Sequence, residues 1–415
     1  MSSFQFLHAA DLHLDSPLRG LAARGDGARA FLSASRRALT ALVDAAIARK
    51  VAFVVIAGDI YDGDWRDYST GQVFVREMGR LAREEIPVFM LRGNHDAESV
   101  ITKQLTPPAN VREFSTARAQ TFTLDALRVA LHGRGFAARQ AGEDIAQTYP
   151  PAVAGWFNIG VLHTSLDGRE GHDAYAPTRV EHLRRLGYDY WALGHIHARE
   201  IVSRDPWIVF PGNLQGRHAR ETGAKGASLV RVVDGAVADV EALALDAARF
   251  DHVRLDLAGA LSEDDLREAA RDALAQAAAR AQGRPLALRV TLEGASALHE
   301  RLLAHRAQNE ENMQALASEA GADILIEKLM IATSSARAAP PAALDGFHEI
   351  LDEVANDPAF RAEVAEALKS MRAKAAPGAY ALAGRGDPEA DAPVAVEAAL
   401  AALRAALADD SEARS

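Results

Sequence analysis

The arrangement of apolar runs predicts a sheet-rich α/β protein, and three observations carry that prediction. As far as about residue 245, short apolar runs alternate with stretches of helical periodicity. In the second half of that span the strand-like runs outnumber the helical ones. Polar residues gather where the runs end, which is where open α/β sheets hold their ligands.

Taken in order, "FQFLHAAD" is apolar at nearly every position, as a strand buried on both faces requires. Ser33 to Lys50 has helical spacing, and "VAFVVIAGD" is a second buried strand. A helix from about Thr70 to Arg83 leads into "IPVFMLRGNHD", a third strand. "LRVALHGRGF", "FNIGVLHTS", "YDYWALGHIH" and "WIVFPGN" follow, each ending in glycine or polar residues. Beyond residue 250, "DHVRLDLAG", a helix from Ser262 to Ala281 and "PLALRVTLEG" read as strand, helix, strand, with "ADILIEKLMIAT" as a later strand. From Leu344, the residues Phe347, Ile350, Leu351, Val354, Phe360, Val364, Leu368 and Met371 recur at helical spacing on either side of Asp357-Pro358. Two amphipathic helices follow, free to pack on their own domain or to receive a partner. "KAAPGAYALAGRGDPEADAP" is a linker by composition, about residues 374–393, ahead of an alanine-rich helix near Val394 to Ala408. The expected domains are 1–245, 250–339 and 340–415.

Composition narrows the class. The 415 residues are 49% hydrophobic and 25% charged, enough for two or three domains with real cores. The N-terminus reaches acidic residues before any signal-like apolar stretch, and no run of about 18 apolar residues occurs, so a soluble, cytoplasmic protein without a membrane association is expected. With no cysteine, any metal must be held by His, Asp, Glu, Asn or water. The net charge of -11 is not evenly spread. Residues 1–250 carry 29 basic and 29 acidic side chains, and residues 251–415 carry 17 and 28. An anionic partner such as DNA would therefore meet the first part of the chain rather than the last.

The chemistry lies at the strand ends. They supply Asp11 and His13 in "ADLH", Asp59 in "AGDIYDG", Asn94 and His95 in "RGNHD", His163 in "VLHTS", and His195 and His197 in "GHIH". On extended backbone the one-residue spacing of Asp11 with His13, and of His195 with His197, points each pair to one side. An isolated His-X-His is more often one packed and one solvated histidine, but five polar motifs in the same strand-end context are hard to assign to chance. Seven of these residues, Asp11, His13, Asp59, Asn94, His163, His195 and His197, suffice for two divalent ions about 3.5 to 4 Å apart if one carboxylate bridges. A sulfur-free oxygen and imidazole set suits manganese, iron or zinc and points to hydrolysis. His8 reads as a core residue, and His132, His172 and His218 are left unassigned.

The ordered series "DLH", "GDIYD", "GNHD", "VLHTS" and "GHIH" resembles the calcineurin-like metallophosphoesterase superfamily over about residues 1–245. The resemblance implies a four-layer sandwich of two mixed sheets flanked by helices, followed here by a smaller α/β capping domain and C-terminal helices. It implies one metal on Asp11, His13, Asp59 and His197, and a second on Asp59, Asn94, His163 and His195, with Asp59 as the bridge. His95 would then protonate the leaving oxygen, with Asp96 orienting its ring. Where protein phosphatases of the superfamily carry an arginine, this chain has Gly63. The opening "FLHAADLHLDSPL" and the block "FPGNLQGRHARETGAKGASLV" are most similar to the bacterial DNA-repair exonuclease branch, the SbcD and YhaO types. That branch implies two Mn2+ ions, DNA as substrate, a capping domain, and helices for an SMC-like coiled-coil ATPase; a homodimer is compatible with it. A small-molecule or nucleotide phosphodiesterase of the same superfamily is the alternative. Some nucleases of the branch carry a second histidine where this chain has Asp62, which is expected either to support the residues lining the site from behind or to be structural. Phosphate contacts are expected from Arg199, Arg204, Arg217, Arg220 and Lys225.

Overall fold

The computed structural model describes residues 3–18, 21, 28–62, 68–98, 106–136, 144–166, 176–321, 323–336, 345–374 and parts of 391–403. The chain divides into two compact units, Met1–Asp251 with Arg284–Leu286, and His252–Gly283 with Ala287–Ser415. The first boundary thus falls at Asp251, and the segment after 340, expected to stand apart, groups with the second unit.

The strands of the first unit are β1 Phe4–Ala9, β2 Phe53–Ala57, β3 Val88–Leu91, β4 Val111–Glu113, β5 Gln120–Leu124, β6 Val129–Gly133, β7 Phe157–His163, β8 Tyr190–Gly194, β9 Glu200–Arg204, β10 Trp207–Phe210, β11 Gly226–Val233 and β12 Ala236–Ala244. Its labelled helices are α1 Ala34–Ala48, α2 Tyr68–Arg83, α3 Asn94–Glu98 and α4 Val180–Arg185. One sheet runs β12-β11-β1-β2-β3-β4 and the other β5-β6-β7-β8-β10-β9. β1 through β4 are parallel, as are β6, β7, β8 and β10; the outer strands β11, β12, β5 and β9 run antiparallel to their neighbours.

Period-2 alternation explains how two sheets share one core. Phe4, Phe6, Phe53, Val55 and Phe89 of the first sheet face Leu131, Phe157, Ile159, Tyr190 and Val209 of the second. Phe6 meets Tyr190 edge-on with ring centroids 5.3 Å apart. The opposite set of the first sheet, Leu7, Val54, Ile56, Val88 and Met90, is covered by Leu39, Leu42 and Val43 of α1 and by Phe74, Met78 and Leu81 of α2. Trp191, Leu193, Ile208 and Phe210 form the outer face of the second sheet, against Leu183 of α4. The result is a mixed four-layer α/β sandwich whose central strands are buried on both faces, which is why they read as continuous apolar runs.

The second unit holds a three-stranded sheet, β13 Arg249–Asp256, β14 Leu286–Ser296 and β15 Ile324–Ser335, in that order. Between β13 and β14 lies α5, Glu263–Ala281, closed at its start by a capping box between Ser262 and Asp265. Two helices that the sequence pattern does not reveal, α6 His299–Ala304 and α7 Arg306–Ala320, connect β14 to β15. α8 Asp345–Asn356 and α9 Pro358–Lys374 break at Asp357, whose Oδ1 accepts from the Ala359 N–H at 2.8 Å. The expected linker and final helix lie largely outside the described residues.

Candidate metal centre

All the ligand-type residues sit where parallel strands end. Asp11 and His13 follow β1, Asp59 follows β2, Asn94 and His95 open α3 after β3, His163 closes β7, and His195 and His197 follow β8. The two sheets approach closely there. A Cβ on Gly194 would lie 2.0 Å from the carbonyl oxygen of Ala57, and one on Gly93 would lie 2.2 Å from Oδ1 of Asp59, so neither position admits a side chain.

The backbone at these ends is not extended, contrary to the reading from one-residue spacing. Asp11, His13, Asp59 and His195 have φ of 50°, 41°, 53° and 101°, in the left-handed region that non-glycine residues enter at a cost. The chain has to turn beyond the strand to bring both members of a pair to one point. Hydrogen bonds hold the turns: the His195 N–H donates to both carboxylate oxygens of Asp11 at 3.1 and 3.0 Å, and the His95 N–H to Oδ1 of Asp59 at 3.0 Å.

The side chains converge. Nε2 of His13 lies 3.2 Å from Nε2 of His197 and 3.8 Å from Oδ2 of Asp59. Nε2 of His163 lies 3.3 Å from Oδ2 of Asp59 and 2.9 Å from Oδ1 of Asn94. The rings of His163 and His195 meet edge-on at 5.2 Å. Three sets of ligand atoms each fall within 4.8 Å of one another: Asp11, His13 and His197; His13, Asp59 and His95; and Asp11, Asp59 and His163. Asp11 and Asp59 each belong to two sets, so both carboxylates lie in the middle of the cluster.

The donor set fits cations. Nδ1 of His163 donates to the Ala57 carbonyl at 2.9 Å, which in the neutral ring leaves Nε2 with a lone pair aimed at two oxygen acceptors. Nδ1 of His197 donates to Glu221 at 2.7 Å, again turning Nε2 inward. Acceptors facing acceptors repel unless a positive charge lies among them. Burial by itself would lower the pKa of His163, but the Asp59 carboxylate outweighs it and pushes the ring up to about 9. Burial raises Asp11, whereas Asp59, despite the same burial, is held far below the usual carboxylate range by His163 and its neighbours. A buried site that draws a proton this strongly suits a metal ion.

One functional partner, Glu221, escaped the sequence reading, and one assignment changes. Asp96 was expected to orient His95, but its carboxylate accepts from the N–H groups of Ile60, Tyr61 and Gly93 at 2.9 to 3.1 Å, tying the β2 and β3 ends together. The ring of His95 is held instead by Asp62, with Nδ1 to Oδ1 at 3.0 Å, and Asp62 also accepts from the Ser16 hydroxyl at 2.6 Å. Glu221, besides accepting from His197, accepts from the Arg217 N–H at 2.7 Å and from Nδ2 of Asn213 at 2.9 Å. Of the five cations expected to meet phosphate, Arg199 donates to the Val240 carbonyl, Lys225 to the His197 carbonyl, and Arg204 lies over the Trp207 ring. Arg217 has its guanidinium beside the site, 3.8 Å from Asp62. His8 is a core residue: Nε2 donates to the Leu193 carbonyl, and Nδ1 accepts from the Tyr190 hydroxyl.

Residues 4–199 match the calcineurin-like phosphoesterase family, and residues 250–334 match the middle domain of the metallophosphoesterase YhaO. The metallophosphoesterase YhaO of Bacillus subtilis (strain 168) is 34% identical over 299 residues, 71% of this chain and 72% of the relative. The chain belongs to the calcineurin-like metallophosphoesterases, in the branch of YhaO. This metallophosphoesterase is also 24% identical over 285 residues to the DNA double-strand break repair protein Mre11 of Sulfurisphaera tokodaii, 65% of this chain and 68% of the relative. Among solved structures, a dimetal phosphatase from Danio rerio superposes with a TM-score of 0.36 at 13% identity, over 56% of this chain and 93% of its own. Membership makes this metallophosphoesterase a hydrolase of phosphoesters, and its family uses divalent metal ions. Among the described residues no helix is long and apolar enough to cross a membrane.

Proposed function

We propose that this metallophosphoesterase is a DNA phosphodiesterase, cleaving at duplex ends or hairpins as the nuclease subunit of a cytoplasmic, ATPase-coupled repair complex. The observation that supports the hydrolytic part is the convergence of Asp11, His13, Asp59, Asn94, His163, His195 and His197 from five strand ends. Asp11, His13, Asp59 and His197 would hold one ion, and Asp59, Asn94, His163 and His195 the other. When bound, two divalent cations, Mn2+ in this reading, supply charge neutralisation at phosphorus and an activated water. His95 lies close to His13 and Asp59 but outside the four-residue sets proposed for the two ions, and Asp62 fixes its ring so that Nε2 is the nitrogen left to protonate the leaving oxygen. The likeness to Mre11 supports DNA as substrate.

The test is cleavage of a linear duplex, a hairpin and a cyclic nucleotide by the purified chain with Mn2+, Mg2+ or chelator. Mn2+-dependent cleavage of the DNA substrates, with the cyclic nucleotide left intact, is expected; the reverse preference overturns the DNA reading in favour of a nucleotide phosphodiesterase. The partner part is tested by truncation after residue 339, which removes α8 and α9. DNA cleavage should persist while binding to a coiled-coil ATPase is lost, and undiminished binding would return these helices to the protein's own packing.

A further inference from the structure

The guanidinium of Arg217 is poorly served by the protein around it. Nη1 stands 3.8 Å from Oδ2 of Asp62 and Nη2 stands 3.7 Å from Oε1 of Glu221, both too long for hydrogen bonds. Nη2 lies 3.3 Å from Nδ1 of His197, but that nitrogen carries the proton given to Glu221 and has no lone pair to offer. Nε is buried and has no hydrogen-bond partner among the described residues. A side chain only 19% exposed thus keeps most of its donors unfilled, Nε among them out of reach of solvent, an arrangement that an incoming anion would satisfy.

Its position says where that anion sits. Asp62 puts one carboxylate oxygen toward His95 and the other toward Arg217, so the imidazole and the guanidinium flank one carboxylate. On the other side Arg217 borders His197. Asp62 and Glu221 attract it from two directions while leaving its hydrogen-bonding face unspent. A planar fork of donors suits two phosphoryl oxygens at once.

We propose that Arg217 is the phosphate clamp of this site, donating to non-bridging oxygens of the phosphoryl group that His95 attends. It acts from the loop after β10, whereas protein phosphatases of the superfamily place an arginine at the position Gly63 holds here. The clamp rests on the proposed phosphodiester chemistry, but it is a claim about phosphate binding and is tested as one.

The experiment measures inorganic phosphate binding by calorimetry to Mn2+-loaded wild-type protein and to Arg217→Gln and Arg217→Lys, with metal content determined for each. It is paired with steady-state hydrolysis of bis(4-nitrophenyl) phosphate. Arg217→Gln should weaken phosphate binding about 10- to 100-fold and raise KM with metal content unchanged, and Arg217→Lys should recover part of the loss. Equal phosphate affinity in wild type and Arg217→Gln, at equal metal content, would overturn the clamp. Loss of metal in Arg217→Gln that Arg217→Lys does not restore would also overturn it, making Arg217 a support for His197. Wild-type protein that binds phosphate but hydrolyses no phosphodiester leaves the clamp standing and refutes the proposed function instead.

Discussion

Nδ1 of His95 lies 3.0 Å from Oδ1 of Asp62, although the two residues arrive from different strand ends. The pair decides how His95 behaves as an acid. Burial by itself would lower its pKa; the hydrogen bond it donates to Asp62 and the charges of Asp59 and Asp62 outweigh burial and raise it above the ordinary value. An acid must be protonated to act, so a raised pKa carries activity to higher pH. Asp62→Asn should therefore lower kcat about 10- to 100-fold, leave metal content unchanged, and move the alkaline limb of the pH profile to lower pH. His95→Asn should cost more, roughly 10²- to 10⁴-fold in kcat, again with metal retained. Metal loss in His95→Asn would make His95 a ligand, and an unmoved alkaline limb in Asp62→Asn would place the acid elsewhere.

Asp59 lies in two of the three close ligand sets and is kept ionised within a cluster of histidines. Removing its charge should empty the centre rather than weaken one contact. Asp59→Asn is expected to lose most metal by elemental analysis and most hydrolysis together. Near-normal turnover with two ions per chain would exclude Asp59 as a bridge.

Much of this centre was legible because its residues sit at the ends of strands that the apolar runs mark out. Phe53 to Ala57 is buried on both faces, so its sequence is unambiguous, and Asp59 follows two residues later. Partners that arrive from irregular segments left no such mark. Glu221 sits four residues after Arg217 in a stretch without periodicity, and only the fold brings it to His197. The exchange of Asp96 for Asp62 beside His95 has the same origin: adjacency in sequence suggested Asp96, while the turn after β3 sends its carboxylate back to the backbone of Ile60 and Tyr61. In the second unit, α7 went unread because it buries little beyond Met313, Leu316 and Ala317, too few residues to write a helical stripe.

Glu221 fixes the tautomer and direction of His197, and its own pKa is held well below the usual range: burial would raise it, but the hydrogen bond from His197 and the Arg217 charge prevail. Glu221→Gln keeps the shape and removes the charge. Metal affinity should fall about 10- to 100-fold, read by titration with Mn2+ against a competing chelator. Unchanged affinity would mean that His197 needs no such orienting partner, and would weaken its place among the ligands.

His8 offers a test of the fold that does not depend on the reaction. Its ring is buried as the neutral form between the Tyr190 hydroxyl and the Leu193 carbonyl, and burial drives its pKa from 6.5 down to about 3. Below pH 6.5 the unfolded chain takes up a proton that the folded chain refuses, so this residue's contribution to stability declines as pH falls from 6.5 toward about 3. At pH 5 the loss from this one group should reach about 2 kcal/mol. His8→Gln retains a hydrogen-bonding side chain but cannot titrate. In urea unfolding with chelator present, the variant should be less stable than wild type at pH 7.5, yet lose about 2 kcal/mol less on going to pH 5. The metal-site carboxylates and histidines titrate in both proteins and cancel in the comparison. Equal losses would show that His8 is protonated without cost in the fold, and that its place between the two sheets is not the neutral one its hydrogen bonds describe.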